Sequence, residues 1–416
     1  MPVSLSGKTD EGTGPDRTDR AGRAAAEPAK WWSWRSGSGR RYTIGVEEEV
    51  MLLERSTHSL VHSSETVLAQ LSGALDGHAS PETHASVIEL VTGVHIDIGS
   101  AVAELSALRA RIAHELRAMG MEPASAGTYP LASSAEPRVF ASPRYRAIER
   151  SMRSLVHREP TMALHVHVGV PDAEDAIRVM NRLRGNLPIL LALSANSPYC
   201  NGRDSGFASL RTLIFQGFPR TGPPRLFADY ADYVGTVDPL IASGAIVDPS
   251  YLWWDVRLQP ALGTVEVRAM DVQASVLDTA PLVALIQCLA RLELEGAAPP
   301  CDIQPELLAE NRFLAARDGL DARLIDPFAQ RLVPVRALID DLLVSCTPHA
   351  VELNCFPELD GVSELAIVNG ADQQRTWARD VGPAEMVGEL AKRFDRPVTM
   401  TGPVRAARRW HSVATP

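Results

Sequence analysis

Cysteine is scarce in this chain. Its five cysteines, Cys200, Cys288, Cys301, Cys346 and Cys355, are odd in number, scattered, and never form a Cys-x-x-Cys pair. That argues against a disulfide framework or a cysteine-based zinc site and fits reduced thiols in a cytoplasmic protein. Long apolar runs are missing too: none approaches the roughly 20 residues that a membrane helix needs. Positive charge is short, with 41 Lys and Arg against 51 Asp and Glu and a formal net charge of −10. A nucleic-acid partner wants a basic surface, so this balance speaks against one. Nucleotides stay open, because a bound cation can neutralise their phosphates. No segment repeats. Residues 1–40 lack periodicity and the apolar core of a secretory signal, and read as a disordered tail. Trp31, Trp32 and Trp34 stand out there, as a means of docking the tail on the body.

What is present is a globular composition, 22% charged over 416 residues. A chain of that length can bury a sizeable core. The expected division is the tail, a sheet-and-helix body over 41–296 and, after a Pro-rich break at 297–305, a mainly helical region over 297–416 packed on the body. Helices are expected over 64–75, 100–119, 172–181, 187–194, 278–295, 306–317, 328–346 and 384–394. In the helix at 100–119, Val102, Leu105, Leu108, Ile112 and Leu116 form the apolar stripe. Glu104, Arg109, Arg111 and Glu115 fall outside it. Extended segments are expected at 59–62 and 124–130.

The densest chemical signal is TIGVEEEV at residues 43–50. Read as a strand, it puts Glu47 and Glu49 on one face and Ile44, Val46, Glu48 and Val50 on the other. Two carboxylates on one face repel unless a cation or proton lies between them. Three more strands follow the same design. In MALHVHVGV, residues 162–170, His165 and His167 share the polar face. In YLWWDVRLQ, residues 251–259, Asp255 and Arg257 do, and these read as a structural pair. In TVEVR, residues 264–268, Glu266 and Arg268 do. Glu82 and Glu89 are seven apart and converge only if a turn or bend lies between them. The long loop at 196–222 adds Arg203, Arg211 and Arg220, suited to phosphate or carboxylate.

Four strands with one apolar and one ligand-bearing face imply a sheet with helices on one side and a cavity on the other. Acid-rich oxygen donors with one or two imidazoles suit Mg²⁺ or Mn²⁺ better than zinc. Nearby arginines suit phosphates. The chemistry read from the residues is phosphoryl transfer at a multi-metal site. Each group also has a plain alternative: strand histidines satisfied in place, Glu82 as a helix-start acid, Glu266 and Arg268 paired across strands. Cys200 has no base beside it, and His84 and His95 read as structural.

The ordered set E-x-E, E-x(6)-E, H-x-H and E-x-R resembles the glutamine synthetase and glutamate–cysteine ligase superfamily. VEEE, SVIELVTG, HVHVGV, LSANSPYCNGRDSGFASLR, TVEVRAMD and ENRFLAARDGLDARLIDP resemble the bacterial carboxylate–amine ligases of glutamate–cysteine ligase type 2. The likeness covers about 41–330; NGADQQR at 369–375 matches only loosely. It implies an α+β fold: a curved antiparallel sheet forming an active-site funnel, helices on its outer face, and a helical C-terminal region. It implies metal ligands at Glu47, Glu49, Glu82, Glu89, His165 and Glu266. It places His167 near nucleotide phosphates or substrate, Arg268 on phosphate, Arg211 on the transferred group or a substrate carboxylate, and Arg312 on phosphate. The expected partners are ATP with Mg²⁺ or Mn²⁺, a small carboxylate such as glutamate, and an amine such as cysteine. A homodimer stays open. The rival readings are a guanidino kinase-like phosphotransferase and a metal-binding scaffold without catalysis.

Overall fold

The computed structural model describes residues 30–35, 41–132, 137–296 and 303–397. The expected disorder of 1–29 and 36–40, the break at 297–302 and Cys301 lie outside those residues.

Seven strands form one open antiparallel sheet: β1 (Ile44–Glu54), β2 (Ala79–Pro81), β3 (Val87–Val91), β4 (Met121–Ala124), β5 (Ala163–Gly169), β6 (Val256–Gln259) and β7 (Thr264–Asp271). Their spatial order is β6-β7-β5-β1-β3-β2, with β4 pairing the C-terminal end of β1. The longest strand, β1, is therefore central. Alternation sends Ile44, Val46, Val166, Val168, Val265 and Val267 into one buried cluster. Helices α2 (Ile98–Ala118), α4 (Ala173–Leu183), α5 (Leu187–Ser194) and α8 (Val276–Glu295) cover that face. No described helix is long and apolar enough to cross a membrane.

Several expectations shift. The strand foreseen at 124–130 ends at Ala124; beyond it the backbone is irregular and Thr128 only bridges Thr161. The helix foreseen at 328–346 starts at Val335. Before it, Arg323–Asp326 and Arg331–Pro334 pair as a hairpin, and Pro334 stays extended as the helix N-cap. Helices α3 (Pro143–Met152) and α7 (Tyr230–Ala242) occupy stretches where no element was foreseen.

Arg109 is not outside α2. It is fully buried, and its Nε and Nη2 hold Glu48 at 2.7 and 2.8 Å. Alternation puts Glu48 on the apolar face of β1, where an acid without a cation would be prohibitively costly. A position that looked like a solvated helix face is therefore claimed by a charge across the core.

Residues 30–35 dock on the body. Trp31 Nε1 donates to Asp238 at 3.1 Å, Trp34 Nε1 donates to the Val170 carbonyl at 3.2 Å, and Tyr230 Oη donates to the Trp32 carbonyl at 2.7 Å. Trp31 and Trp34 also pack on the main core. The tail reading fails for this segment because three indoles supply enough apolar area to offset its ordering. Trp31→Ala with Trp34→Ala is expected to cost about 1–3 kcal/mol of stability, from the half-buried area lost. Urea unfolding of the double variant measures it; an unchanged midpoint would mean that the strap adds nothing to the body.

The NGADQQR segment opens α12 (Gly370–Val381) and braces the loop that carries Arg211. Gln374 Nε2 donates to Asn196 Oδ1 at 2.7 Å, and Arg375 Nε donates to Asp204 at 3.0 Å. A Cβ on Gly370 would stand 2.3 Å from Asn196 Oδ1, so only glycine leaves room for the Asn196 side chain there.

Candidate active site

Strand register assembles the site. Residues directly opposed in an antiparallel ladder share a face. The pairs Ser80↔Glu89, Glu89↔Glu49, Glu47↔His165, His167↔Glu266 and Glu266↔Arg257 therefore form one polar row across the sheet. Glu82 joins from the turn between β2 and β3, which supplies the bend that its spacing from Glu89 demanded. Ligand oxygens of Glu49, Glu82 and Glu89 lie within 4.8 Å of one another. The same spacing holds for Glu47, Glu89 and His165, and for Glu47, His167 and Glu266. A register shift between Val267 and Met270 bulges β7 at Arg268. Bulges re-aim side chains, and here the affected residue lines the cavity.

A cavity of about 320 Å³ opens on this row, lined by Glu47, Glu49, Glu82, Glu89, His165, Arg211 and Arg268 among others. His167 and Glu266 stand outside the lining but are tied to it. His167 Nε2 lies 3.1 Å from Glu47 Oε1, and Arg268 Nη1 donates to Glu266 Oε1. Arg257 Nε also donates to Glu266, at 2.6 Å, and Gln259 Nε2 at 2.7 Å. Arg257 thus reaches across strands to Glu266 rather than pairing with Asp255. Arg312 is apart from the cavity: its Nε donates to Asp255 at 2.6 Å and its Nη1 to Gln216 at 3.3 Å. Arg220 is also turned away, onto the Tyr251 carbonyl, and Arg203 lies in an exposed hairpin. Burial and then Glu159 push the Cys200 thiol up to about 11, which disfavours the thiolate a nucleophile needs.

Sequence reading missed much of the rest of the wall: Arg144, Tyr145, Glu159, Thr161, Phe215, Phe218 and Trp253. These come from α3, the segment before β5, the 196–222 loop and the stretch just before β6, none of which shows metal-ligand spacing at those positions. An aromatic cluster in Phe215-x-x-Phe218 was the one available signal.

The row is electrostatically divided. Burial opposes ionisation of Glu47, but His167 and the bond from His165 outweigh it and hold this carboxyl well below the usual range. Burial, then Glu47, Glu82 and Glu49, pushes Glu89 far up. Burial, then Arg268, pushes His165 down to about 4, so its ring is neutral. His165 Nδ1 meets Glu47 Oε2 at 3.2 Å, while its Nε2 is buried without a hydrogen-bond partner. A neutral ring with one nitrogen turned to a carboxylate leaves the other lone pair for a cation. His167 differs: burial lowers its pKa, but Glu266 and Glu47 outweigh burial and raise it. It suits an anion better than a metal. The crowded carboxylates and the free Nε2 of His165 fit hard divalent cations.

Glu49 makes this testable. Burial, then Glu82, raises its carboxyl from 4.5 to about 8. A raised value means that its stabilising contribution is full below pH 4.5 and lost as pH rises through about 8. A cation bound here takes the place of that proton. Mg²⁺ or Mn²⁺ is therefore expected to raise the unfolding midpoint more at pH 8 than at pH 6, and to release protons on binding. Calorimetry in buffers of different ionisation enthalpy reads the release; binding without it would contradict the assignment of Glu49.

The family model for glutamate–cysteine ligase family 2 matches residues 43–396. A Rubrobacter xylanophilus relative, provisionally named glutamate–cysteine ligase 2-3, is 40% identical over 361 residues, covering 86% of this chain and 98% of the relative. A second from that organism, provisionally named glutamate–cysteine ligase 2-1, is 41% identical over 335 residues, covering 80% and 89%. Among solved structures, a glutamate–cysteine ligase from Francisella tularensis in complex with AMP shares the fold. Its TM-score is 0.64 at 14% identity, over 85% of this chain and 88% of that one.

Proposed function

The chain belongs to glutamate–cysteine ligase family 2, and from that premise we propose that this ligase joins a carboxylate to an amine with ATP and Mg²⁺, through an acyl phosphate. Glutamate, through its γ-carboxylate, is the proposed acid, and cysteine the first amine to try. The observation that carries the reading is the meeting of the clustered acids Glu47, Glu49, Glu82 and Glu89, a neutral His165, and Arg211 and Arg268 in one cavity.

The open sheet is read as the wall of a funnel, helices outside and ligands within. Divalent cations held by Glu47, Glu49, Glu82, Glu89, His165 and Glu266 would neutralise charge on the polyphosphate and the transferred group. Arg211 and Arg268 each keep a buried Nε without an acceptor. Phosphate oxygens are the acceptors that such donors lack. Arg211 and Arg268 would place fixed positive charge where the transferred group carries negative charge. His167, whose pKa Glu266 and Glu47 raise against burial, stands beside Glu47 and is the proposed neighbour of the phosphates or substrate. Arg268 Nη1 donates to Glu266, which belongs to one of the groups spaced to hold a cation, so a cation held there would stand beside Arg268. Arg312, expected on phosphate, is held by Asp255 and stands outside the cavity lining. Phe215, Phe218 and Trp253 offer a stacking surface for a purine.

An ¹⁸O label in the substrate carboxylate is expected to appear in released phosphate, because the acyl oxygen leaves with phosphorus when the amine attacks. Phosphate without label, or a phosphoryl or acyl group trapped on the protein, would rule out this route. ADP release without an amide product would point to simple phosphotransfer.

A further inference from the structure

Five carboxylates line the cavity: Glu47, Glu49, Glu82, Glu89 and Glu159. The first four belong to groups spaced to hold cations; Glu159 belongs to none. It stands four residues before β5, with Thr161, which also lines the cavity, between it and the strand. Its Oε1 is buried, and among the described residues it has no hydrogen-bond partner. No arginine, lysine or histidine pairs with it there. A buried carboxylate without a donor is costly, and such groups in a cleft mark positions completed by a ligand. Burial raises its pKa, which makes it a better proton acceptor.

The cavity therefore has separated charge. Arg211 and Arg268 serve anions, and the four clustered acids are committed to cations. A carboxylate loaded with Mg²⁺ repels an ammonium group. Glu159 alone among the lining acids is free to attract one.

We propose that Glu159 receives the amine substrate: its carboxylate binds the substrate ammonium and takes the proton that must leave before nitrogen can attack. This rests on the ligase reading above and adds the recognition of the second substrate. The balance is as follows. R–NH₃⁺ gives one proton to Glu159. The freed nitrogen pair forms the C–N bond at the acyl carbon. The C–O bond to the phosphoryl group breaks, and its electron pair leaves with phosphate. The second nitrogen proton leaves on that phosphate, giving a neutral amide, hydrogen phosphate and protonated Glu159.

The test uses the full chain with ATP, Mg²⁺ and glutamate, and compares cysteine with hydroxylamine. Hydroxylamine is mostly neutral near pH 7.5, so its attack needs neither a counter-charge nor a proton acceptor. Glu159→Gln is expected to raise KM for cysteine about 30-fold or more, the usual loss when one member of a buried charge pair is removed. The loss of hydroxamate formation is expected to be several-fold smaller than the loss of amide formation at low cysteine, and thermal unfolding run in parallel shows that the variant is folded. Glu159→Asp, which keeps the charge, is expected to hold KM for cysteine below that of Glu159→Gln. An unchanged KM for cysteine in Glu159→Gln overturns the proposal. So does an equal loss of amide and hydroxamate, which would mean a structural role. If the wild-type chain forms neither ADP nor hydroxamate with glutamate or other acids, the ligase reading fails and takes this proposal with it.

Discussion

Glu47→Gln is expected to lower ATP-dependent turnover by on the order of 10³-fold or more, with the fold intact. The size follows from losing one anionic ligand of a catalytic cation, worth several kcal/mol of transition-state stabilisation. Glu47 is the most connected acid of the site: it belongs to two of the three cation-holding groups and meets both His165 and His167. It is also partly exposed, so the amide can be solvated where the carboxylate was. Glu266 is a poorer choice for the same experiment. It is fully buried under Arg257 and Arg268, and its loss would leave two guanidinium groups without their acid. Glu266→Gln is therefore expected to lose activity and stability together. Steady-state ADP release, with thermal unfolding run in parallel, distinguishes the two. Wild-type turnover by Glu47→Gln, or full turnover of the native chain in excess EDTA, would contradict cation-dependent chemistry at this site.

Arg109→Met is expected to cost about 3–5 kcal/mol of stability, the range found when one partner of a buried ion pair is removed. The reason is Glu48, which would keep its charge in a fully buried position. Its remaining donor would be Thr279 Oγ1, at 2.8 Å. Arg109 also donates to the carbonyls of Gln273, Ala274 and Phe394, so it ties β1 to the start of α8 and the end of α13 (Pro383–Phe394). The double variant Glu48→Leu with Arg109→Met removes both charges and is expected to recover most, though not all, of the loss, since those three carbonyls still lack their donor. Urea unfolding of the three variants forms a double-mutant cycle. A coupling energy near zero would show that the pair does not act as a unit.

The sequence by itself determined the strands with two-residue alternation, the polar face they share and the residue types on it. Those follow from local rules: a strand must point alternate side chains in opposite directions, and E-x-E and H-x-H cannot hide both members. It also determined that Glu82 and Glu89 need a turn between them. Family likeness, carried by ordered motifs, then supplied roles that spacing alone left open. Tertiary structure decided what depends on who faces whom. Glu48 and Arg109 each looked ordinary in its own element, and only the packing of α2 on β1 made them a buried pair. Arg257 belongs to Glu266 because register opposes them, and Arg312 belongs to Asp255 because its side chain reaches from α9 (Pro305–Asp318) to the residue just before β6. Glu159 has no motif at all. Its place in the cavity is set by the chain path before β5, and its unpartnered oxygen is a fact of burial, which one-dimensional pattern cannot carry.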